Sequence, residues 1–293
     1  MVAFNHMSIN ISELPNPSLY GRGIKLLCFD LDGTLINSRG EIGIETLKEI
    51  RRVSKRHNLT VAMATGRPLF SADAFVDDIG ARGASMFYAG ALITDVETRI
   101  PAFECHLPRT ETEQLVQFCR DNKLSLELYA GEEYFVDEIT DYIAVHRDEY
   151  LKFEPQVMDL KKLASRERFL KATIGLSSAD ITTQKLKDLA QTSPNWALTS
   201  AVGAKHENIT FHNFTNAYAS RKQAFQALLE QHRLRPDQAM CFGDAPADET
   251  FLRMAGVGVA MGNAPTEVKN SANLVTAHVD RDGVAEALSL IFD

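Results

Sequence analysis

Ile24-Lys25-Leu26-Leu27-Cys28-Phe29-Asp30-Leu31-Asp32-Gly33-Thr34-Leu35 is the stretch on which the reading of this chain turns. The apolar run through Ile24, Leu26, Leu27, Cys28 and Phe29 has the pattern of a strand covered on both faces in a parallel sheet. Asp30 then sits at a strand's carboxyl end, and open α/β sheets place their ligand sites in the crevice outside those ends. Asp30 and Asp32 can both face one small site. Two carboxylates that close repel unless a cation or a shared proton relieves them, and oxygen ligands suit Mg²⁺. Taken alone, the pair is also readable as an acidic turn, because Asp-Gly is ordinary turn chemistry.

At 293 residues the chain exceeds a typical single domain, so two domains or a core with a large insertion is expected. Its 45% hydrophobic and 24% charged content is that of a soluble protein with sizeable cores. The net charge of -8, from 31 Lys+Arg against 39 Asp+Glu, argues against nucleic acid or an anionic membrane as partner. Cys28, Cys105, Cys119 and Cys241 show no CxxC spacing and read as reduced thiols of a cytoplasmic protein. No apolar stretch reaches the length of a membrane span. Residues 1–23 lack the basic start and apolar core of a signal peptide and read as a loose extension, in which Met7 is an alternative start.

Helical spacing over Thr46–His57, then an apolar run from Leu59 to Ala64 ending in Thr65-Gly66-Arg67-Pro68, makes a βαβ unit with parallel strands. A second unit runs through Ala72–Ile79 to Met86–Tyr88. From about residue 104 the rhythm changes to mixed strands and helices with hairpin-like links, the pattern of an inserted α+β module. It includes helical stretches at Pro108–Asn122, Asp141–Lys152 and Ala179–Gln191. Strand-like runs fall at Leu124–Tyr129, Tyr134–Val136, Phe169–Leu176, Ala197–Ser200 and Asn208–Phe211. The first rhythm returns with the helix Arg221–Gln231, the strand Ala239–Phe242 ending at Gly243-Asp244, and a helix Glu249–Ala255 with Gly256 as its expected cap. The strand Gly258–Gly262 and the helix Val284–Ile291 follow. The fold class is therefore α/β: a Rossmann-like doubly wound parallel sheet at residues 24–103 and 213–293, with an α+β cap at 104–212.

Four strand or helix ends carry polar residues: Asp30/Asp32, Thr65/Arg67, Arg221/Lys222 and Asp244/Asp248. A doubly wound sheet would bring them to one crevice. In this order they resemble the four motifs of the haloacid dehalogenase superfamily of phosphohydrolases. The stretch Ala255–Gly262 with Asn263-Ala264, then Val268-Lys269, Ala272 and Asp282-Gly283-Val284, is similar to the Cof-type subfamily with its large C2-type cap between the second and third motifs. The resemblance implies that Asp30 is a nucleophile forming an aspartyl-phosphate and that Asp32 is the general acid and base. It implies that Thr65 bonds a phosphoryl oxygen, assisted by backbone amides of the Asp30 turn, that Leu31, Gly66, Arg67 and Asn263 bind substrate, and that Arg221 or Lys222 supplies a cation; Asn263 is also readable as orienting Asp244 or as capping the helix that follows. Asp30, Asp32 through its backbone carbonyl, Asp244 and Asp248, the last as a ligand or an outer carboxylate, would hold Mg²⁺. A small phosphorylated metabolite, in particular a sugar phosphate, is the implied substrate.

Three positions depart from the subfamily pattern. Arg221 takes the place of the usual lysine and Lys222 that of a glycine; Ala247 stands where asparagine commonly precedes aspartate; Ala89 stands in a turn usually written Asn-Gly-Ala. Arginine and lysine are not equivalent at such a site. These departures keep open a phosphometabolite-binding protein with degraded turnover, and the nearest enzyme alternative is a pyridoxal-phosphate or nucleotide phosphatase on the same scaffold. His57, His106, His146, His206, His212 and His232 show no metal-ligand spacing and read as surface or packing residues.

Overall fold

The computed structural model describes residues 8–177, 182–202 and 208–293. Met7, His206 and the first residues of the expected Ala179–Gln191 helix lie outside them. The chain divides into two compact units, the first comprising residues up to Gly66, Ala74–Phe103 and Arg221–Asp293, the second Arg67–Asp73 and Glu104–Ser220.

The first unit is built on a six-stranded parallel sheet. Its strands are, in spatial order, Ile9–Asn10, Leu274–Val275, Val257–Ala260, Ala239–Gly243, Leu26–Phe29 and Thr60–Met63. The run Leu26–Phe29 is central and wholly buried, which is why it reads as continuously apolar rather than alternating. Phe29 stacks on Phe242 of the neighbouring strand at 4.9 Å between ring centroids. The helix Ile44–His57 turns Ile50 and Val53 inward and stops at Asn58, whose left-handed backbone donates its N–H to Ser54 O. Its basic last turn of Lys55, Arg56 and His57 suits the negative end of the helix dipole. Strand Thr60–Met63 then runs parallel to Leu26–Phe29, as the βαβ reading requires. A small sheet of Ala84–Phe87, Leu92–Asp95 and Pro101–Glu104 is tied on by the parallel bridge between Ala64 and Met86.

Two local expectations are corrected. The loose extension is ordered from Ile9 onward: Ile9–Asn10 adds the outermost strand, Ile11 is fully buried, and Pro17–Gly21 packs on the C-terminal helix Gly283–Phe292. Apolar residues scattered among Asn, Ser and Pro give no periodicity, so a two-residue strand leaves no sequence signal. Gly256 does not act as a left-handed cap, since the helix Glu249–Met254 ends at Ala255 in extended backbone. A Cβ at Gly256 would come within 2.6 Å of Asp237 O, so glycine is required there by close approach of two backbones.

The second unit is α+β. Its six strands follow the order Trp196–Val202, Ile209–Asn216, Lys171–Ser177, Leu126–Ala130, Glu133–Val136 and Gln156–Val157, antiparallel except for the last pair. Strand Ile209–Asn216 pairs with Lys171–Ser177 as far as Thr215 and with Trp196–Val202 as far as Asn216, so residues 213–216 group with this sheet. The helices Arg109–Asp121, Leu160–Ala164 and Thr182–Gln191 share a core with one sheet face through Leu115, Val116, Leu160, Leu186, Phe169 and Phe214. The expected Asp141–Lys152 helix is α-helical over Asp141–His146 and a single π-helical turn over Arg147–Leu151. His146 is buried against Glu127, with Nδ1 2.7 Å from its carboxylate, and His212 Nδ1 lies 2.8 Å from Ser200 Oγ. Both are packing histidines. Among the described residues, no helix is long and apolar enough to cross a membrane.

Candidate active site

Asp30 follows the last residue of the central strand, its N–H bonded to Phe242 O at 2.9 Å, and is only 6% exposed. Ala64 N–H donates to Phe29 O at 2.8 Å, which places the buried Thr65 at the same sheet edge. The strand Ala239–Gly243 delivers Asp244 there as well. Parallel pairing thus carries three strand ends to one edge, the crevice expected of a doubly wound sheet.

The carboxylates of Asp30, Asp244 and Asp248 each offer an oxygen within 4.8 Å of the others. Burial raises the Asp30 carboxyl well above its usual range, reinforced by the charges of Asp248, Asp244 and Asp32 and opposed by Arg221. Burial likewise pushes Asp244 up to about 6, with the Asp248 charge adding to it. Asp248, fully buried, is raised by desolvation and held down by Arg221 and by N–H donors. Three closely set carboxylates, two buried and Asp244 partly so, that resist ionising together are what a bound cation would relieve, and a donor set of oxygens without histidine or cysteine fits a hard divalent ion.

The members of this cluster are held differently. Asp244 Oδ1 accepts from Thr34 Oγ1 at 3.0 Å and Oδ2 accepts from Asn263 Nδ2 at 3.2 Å. Asn263 Nδ2 also reaches Gly33 O at 2.8 Å, and its Oδ1 accepts the Val279 N–H at 3.0 Å. Gly33 has φ +85°, and a Cβ on it would fall 2.3 Å from Asp244 Oδ2, so only glycine lets the Asp30 turn approach that carboxylate. Asp248 Oδ2 accepts the N–H groups of Asp244 and Ala245, both at 2.9 Å, and Oδ1 accepts from Arg221 Nη1 at 3.0 Å. Both of its oxygens are therefore used in holding the loop and the guanidinium.

The residues expected here fall into groups. Asp30, Thr65, Asp244, Asp248 and Arg221 come to one edge of the sheet, and the charge of the exposed Asp32 is felt by both Asp30 and Asp244. Asp32's carboxylate is outside the three-carboxylate cluster. The Leu31 side chain is fully buried, which leaves only its backbone to face a ligand. Lys222 is exposed, whereas Arg221 is the cation whose charge acts on Asp30. The Arg221 Nε is buried without a hydrogen-bond partner, and the guanidinium lies 5.6 Å over the Phe251 ring. Gly66 has open space around its Cα, and Arg67 groups with the second unit. Asn263, expected either against substrate or orienting Asp244, spends its amide on Asp244 and Gly33, because the turn after Val257–Ala260 ends beside them. Thr34 escaped the sequence reading. Its signal was present in the Asp-Gly-Thr order, but nothing in a linear sequence points a hydroxyl at a carboxylate 210 residues away.

A family model for haloacid dehalogenase-like hydrolases matches residues 27–288. Phosphatase YwpJ of Bacillus subtilis (strain 168) is 25% identical over 285 residues, covering 90% of this chain and 99% of the relative. A second Bacillus subtilis (strain 168) protein, 5-amino-6-(5-phospho-D-ribitylamino)uracil phosphatase YcsE, is 26% identical over 273 residues, covering 90% and 94%. The crystal structure of a haloacid dehalogenase-like hydrolase from Bacteroides thetaiotaomicron superposes with a TM-score of 0.80 at 25% identity, covering 92% of this chain and all of that one.

Proposed function

Because the chain belongs to the haloacid dehalogenase-like hydrolases, we propose that it is a Mg²⁺-dependent phosphomonoesterase of small phosphorylated metabolites, working through an aspartyl-phosphate on Asp30. The observation that carries this reading is the close cluster of Asp30, Asp244 and Asp248, two of them buried, with Arg221 beside it. It combines a nucleophile, a cation site and a fixed positive charge at one sheet edge.

Asp30, Asp244 and the backbone carbonyl of Asp32 would hold Mg²⁺, with Asp248 standing behind them to fix the Asp244 loop and Arg221. The ion supplies charge neutralisation that lets an anionic nucleophile meet an anionic phosphate. Asp30 attacks phosphorus and breaks the bond to the leaving oxygen. Asp32, exposed and outside the three-carboxylate cluster, donates a proton to that oxygen and later takes one from the water that hydrolyses the acyl-phosphate. Thr65 and the Asp30 turn donate hydrogen bonds to the phosphoryl oxygens. Arg221 fills the cationic role in preference to Lys222; its partnerless buried Nε–H is a donor that a phosphoryl oxygen would satisfy. A relative named for a phosphorylated ribityl compound supports a sugar-like phosphate as substrate.

The test is phosphate release from an aryl phosphate and a panel of sugar, nucleotide and cofactor phosphates, with Mg²⁺ and with chelator, for wild type and Asp30→Asn. Mg²⁺-dependent release that Asp30→Asn abolishes supports the reading. Release by Asp30→Asn at the wild-type rate refutes the nucleophile. Binding of a phosphometabolite without any release favours the binding protein instead.

A further inference from the structure

The loop after strand Ala84–Phe87 has an unusual backbone. Tyr88 (φ +52°) and Ala89 (φ +56°, ψ +27°) both lie in the left-handed region, followed by Gly90 at φ +102°. Left-handed backbone is uncommon for residues other than Gly, Asn and Asp, and an aromatic residue there is an outlier. Two such residues in succession persist only where the surroundings over-determine them, and such places cluster at functional sites.

The surroundings are specific. Tyr88 is fully buried. The peptides on both sides of Thr65 are gripped by this segment: Thr65 N–H donates to Met86 O at 2.9 Å, and Ala89 N–H donates to Thr65 O at 3.1 Å. The second bond exists because the left-handed turn swings the Ala89 N–H back over the end of strand Thr60–Met63. An extended residue at 88 would turn the Ala89 N–H away from it. The helix Arg221–Gln231 packs against this turn and against strand Ala84–Phe87, so the turn is wedged between Thr65 and the helix that begins with Arg221.

We infer that the left-handed turn Tyr88–Gly90 is a positioning element for Thr65, and that the turn's backbone conformation sets the turnover rate by holding the Thr65 carbonyl, and with it the Thr65 hydroxyl, in place for phosphate. This rests on the proposed role of Thr65. Ala89 is a positioning residue in this proposal, acting through Thr65.

The experiment is a double-mutant cycle on the full chain, with kcat and KM measured on an aryl phosphate at saturating Mg²⁺ and folding checked by circular dichroism melting. Ala89→Val introduces a β-branched residue that the left-handed region disfavours; Ala89→Gly keeps the N–H and accepts the conformation. The expected result is about a tenfold fall in kcat for Ala89→Val with KM within about twofold, and kcat within about twofold of wild type for Ala89→Gly. In a Thr65→Ala background Ala89→Val costs less than about twofold more. Equal losses from Ala89→Val in both backgrounds overturn the inference while leaving Thr65's role intact. Full activity of Thr65→Ala alone overturns that role, and the inference with it. Should Ala89→Val not fold, Gly90→Ala, which places a side chain at φ +102°, takes its place in the same cycle with the same criteria.

Discussion

Asn263→Ala tests whether this side chain serves Asp244 or the substrate. The substitution deletes three hydrogen bonds at once: Nδ2 to Asp244 Oδ2 at 3.2 Å, Nδ2 to Gly33 O at 2.8 Å, and the Val279 N–H to Oδ1 at 3.0 Å. A bond to a charged acceptor contributes about 1.5–3 kcal/mol and a neutral one about 0.5–1.5 kcal/mol. Asn263 is only partly buried, so water replaces part of each, and a net loss of about 2–3 kcal/mol of stability is expected. The Asn263 bond also lowers the Asp244 carboxyl, so its removal moves that group further above about 6 and away from the ionised form a cation needs. Losing an outer partner of a metal-binding carboxylate typically weakens metal affinity by about 10–100-fold. Urea denaturation in chelator measures the stability term, and calorimetric titration with Mg²⁺ measures the affinity. The reasoning is refuted if Mg²⁺ affinity stays within about twofold of wild type while KM for the phosphate substrate rises. That pattern would return Asn263 to the substrate.

Three other outcomes follow from particular contacts. In chelator, the proton that the folded protein retains on Asp244 stabilises it at low pH. Its pKa of about 6 lies above the ordinary 3.8, so this contribution is lost as pH rises from about 4 to 6. Wild type should therefore lose stability relative to Asp244→Asn across that window, by at most about 3 kcal/mol, and paired melts that keep a constant difference would contradict it. Gly256→Ala forces a methyl to within 2.6 Å of Asp237 O and should destabilise by about 1–3 kcal/mol in urea denaturation; an unchanged midpoint would contradict that close approach. Ile11→Ala should cost about 2–5 kcal/mol because its side chain is fully buried; an unchanged denaturation midpoint would restore the loose extension.

Much of the architecture was legible because it rests on local chemistry. The unbroken apolar run before Asp30 can only be satisfied by a strand covered on both faces, and the return of that pattern at Ala239–Gly243 and Val257–Ala260 announces parallel neighbours. Helical spacing located Ile44–His57 and Arg221–Gln231 to within two residues, and the carboxylates stand out because Asp after a buried strand has few structural reasons to be there. What tertiary structure alone decided were choices between equivalent residues. Arg221 and Lys222 are adjacent cations in the sequence, but the first turn of their helix buries one beside Asp248 and leaves the other in solvent. Asp248 and Asp244 are both acidic residues of one loop, yet the loop's own N–H groups claim Asp248's oxygens and leave Asp244 to Thr34 and Asn263. Gly256 reads as a helix cap until the backbone at Asp237 is seen against it. Composition and periodicity report on a residue's own backbone and on burial, which are nearly local properties; which of two like groups meets a partner hundreds of residues away is set by strand register and close approach, and these exist only once the chain has folded.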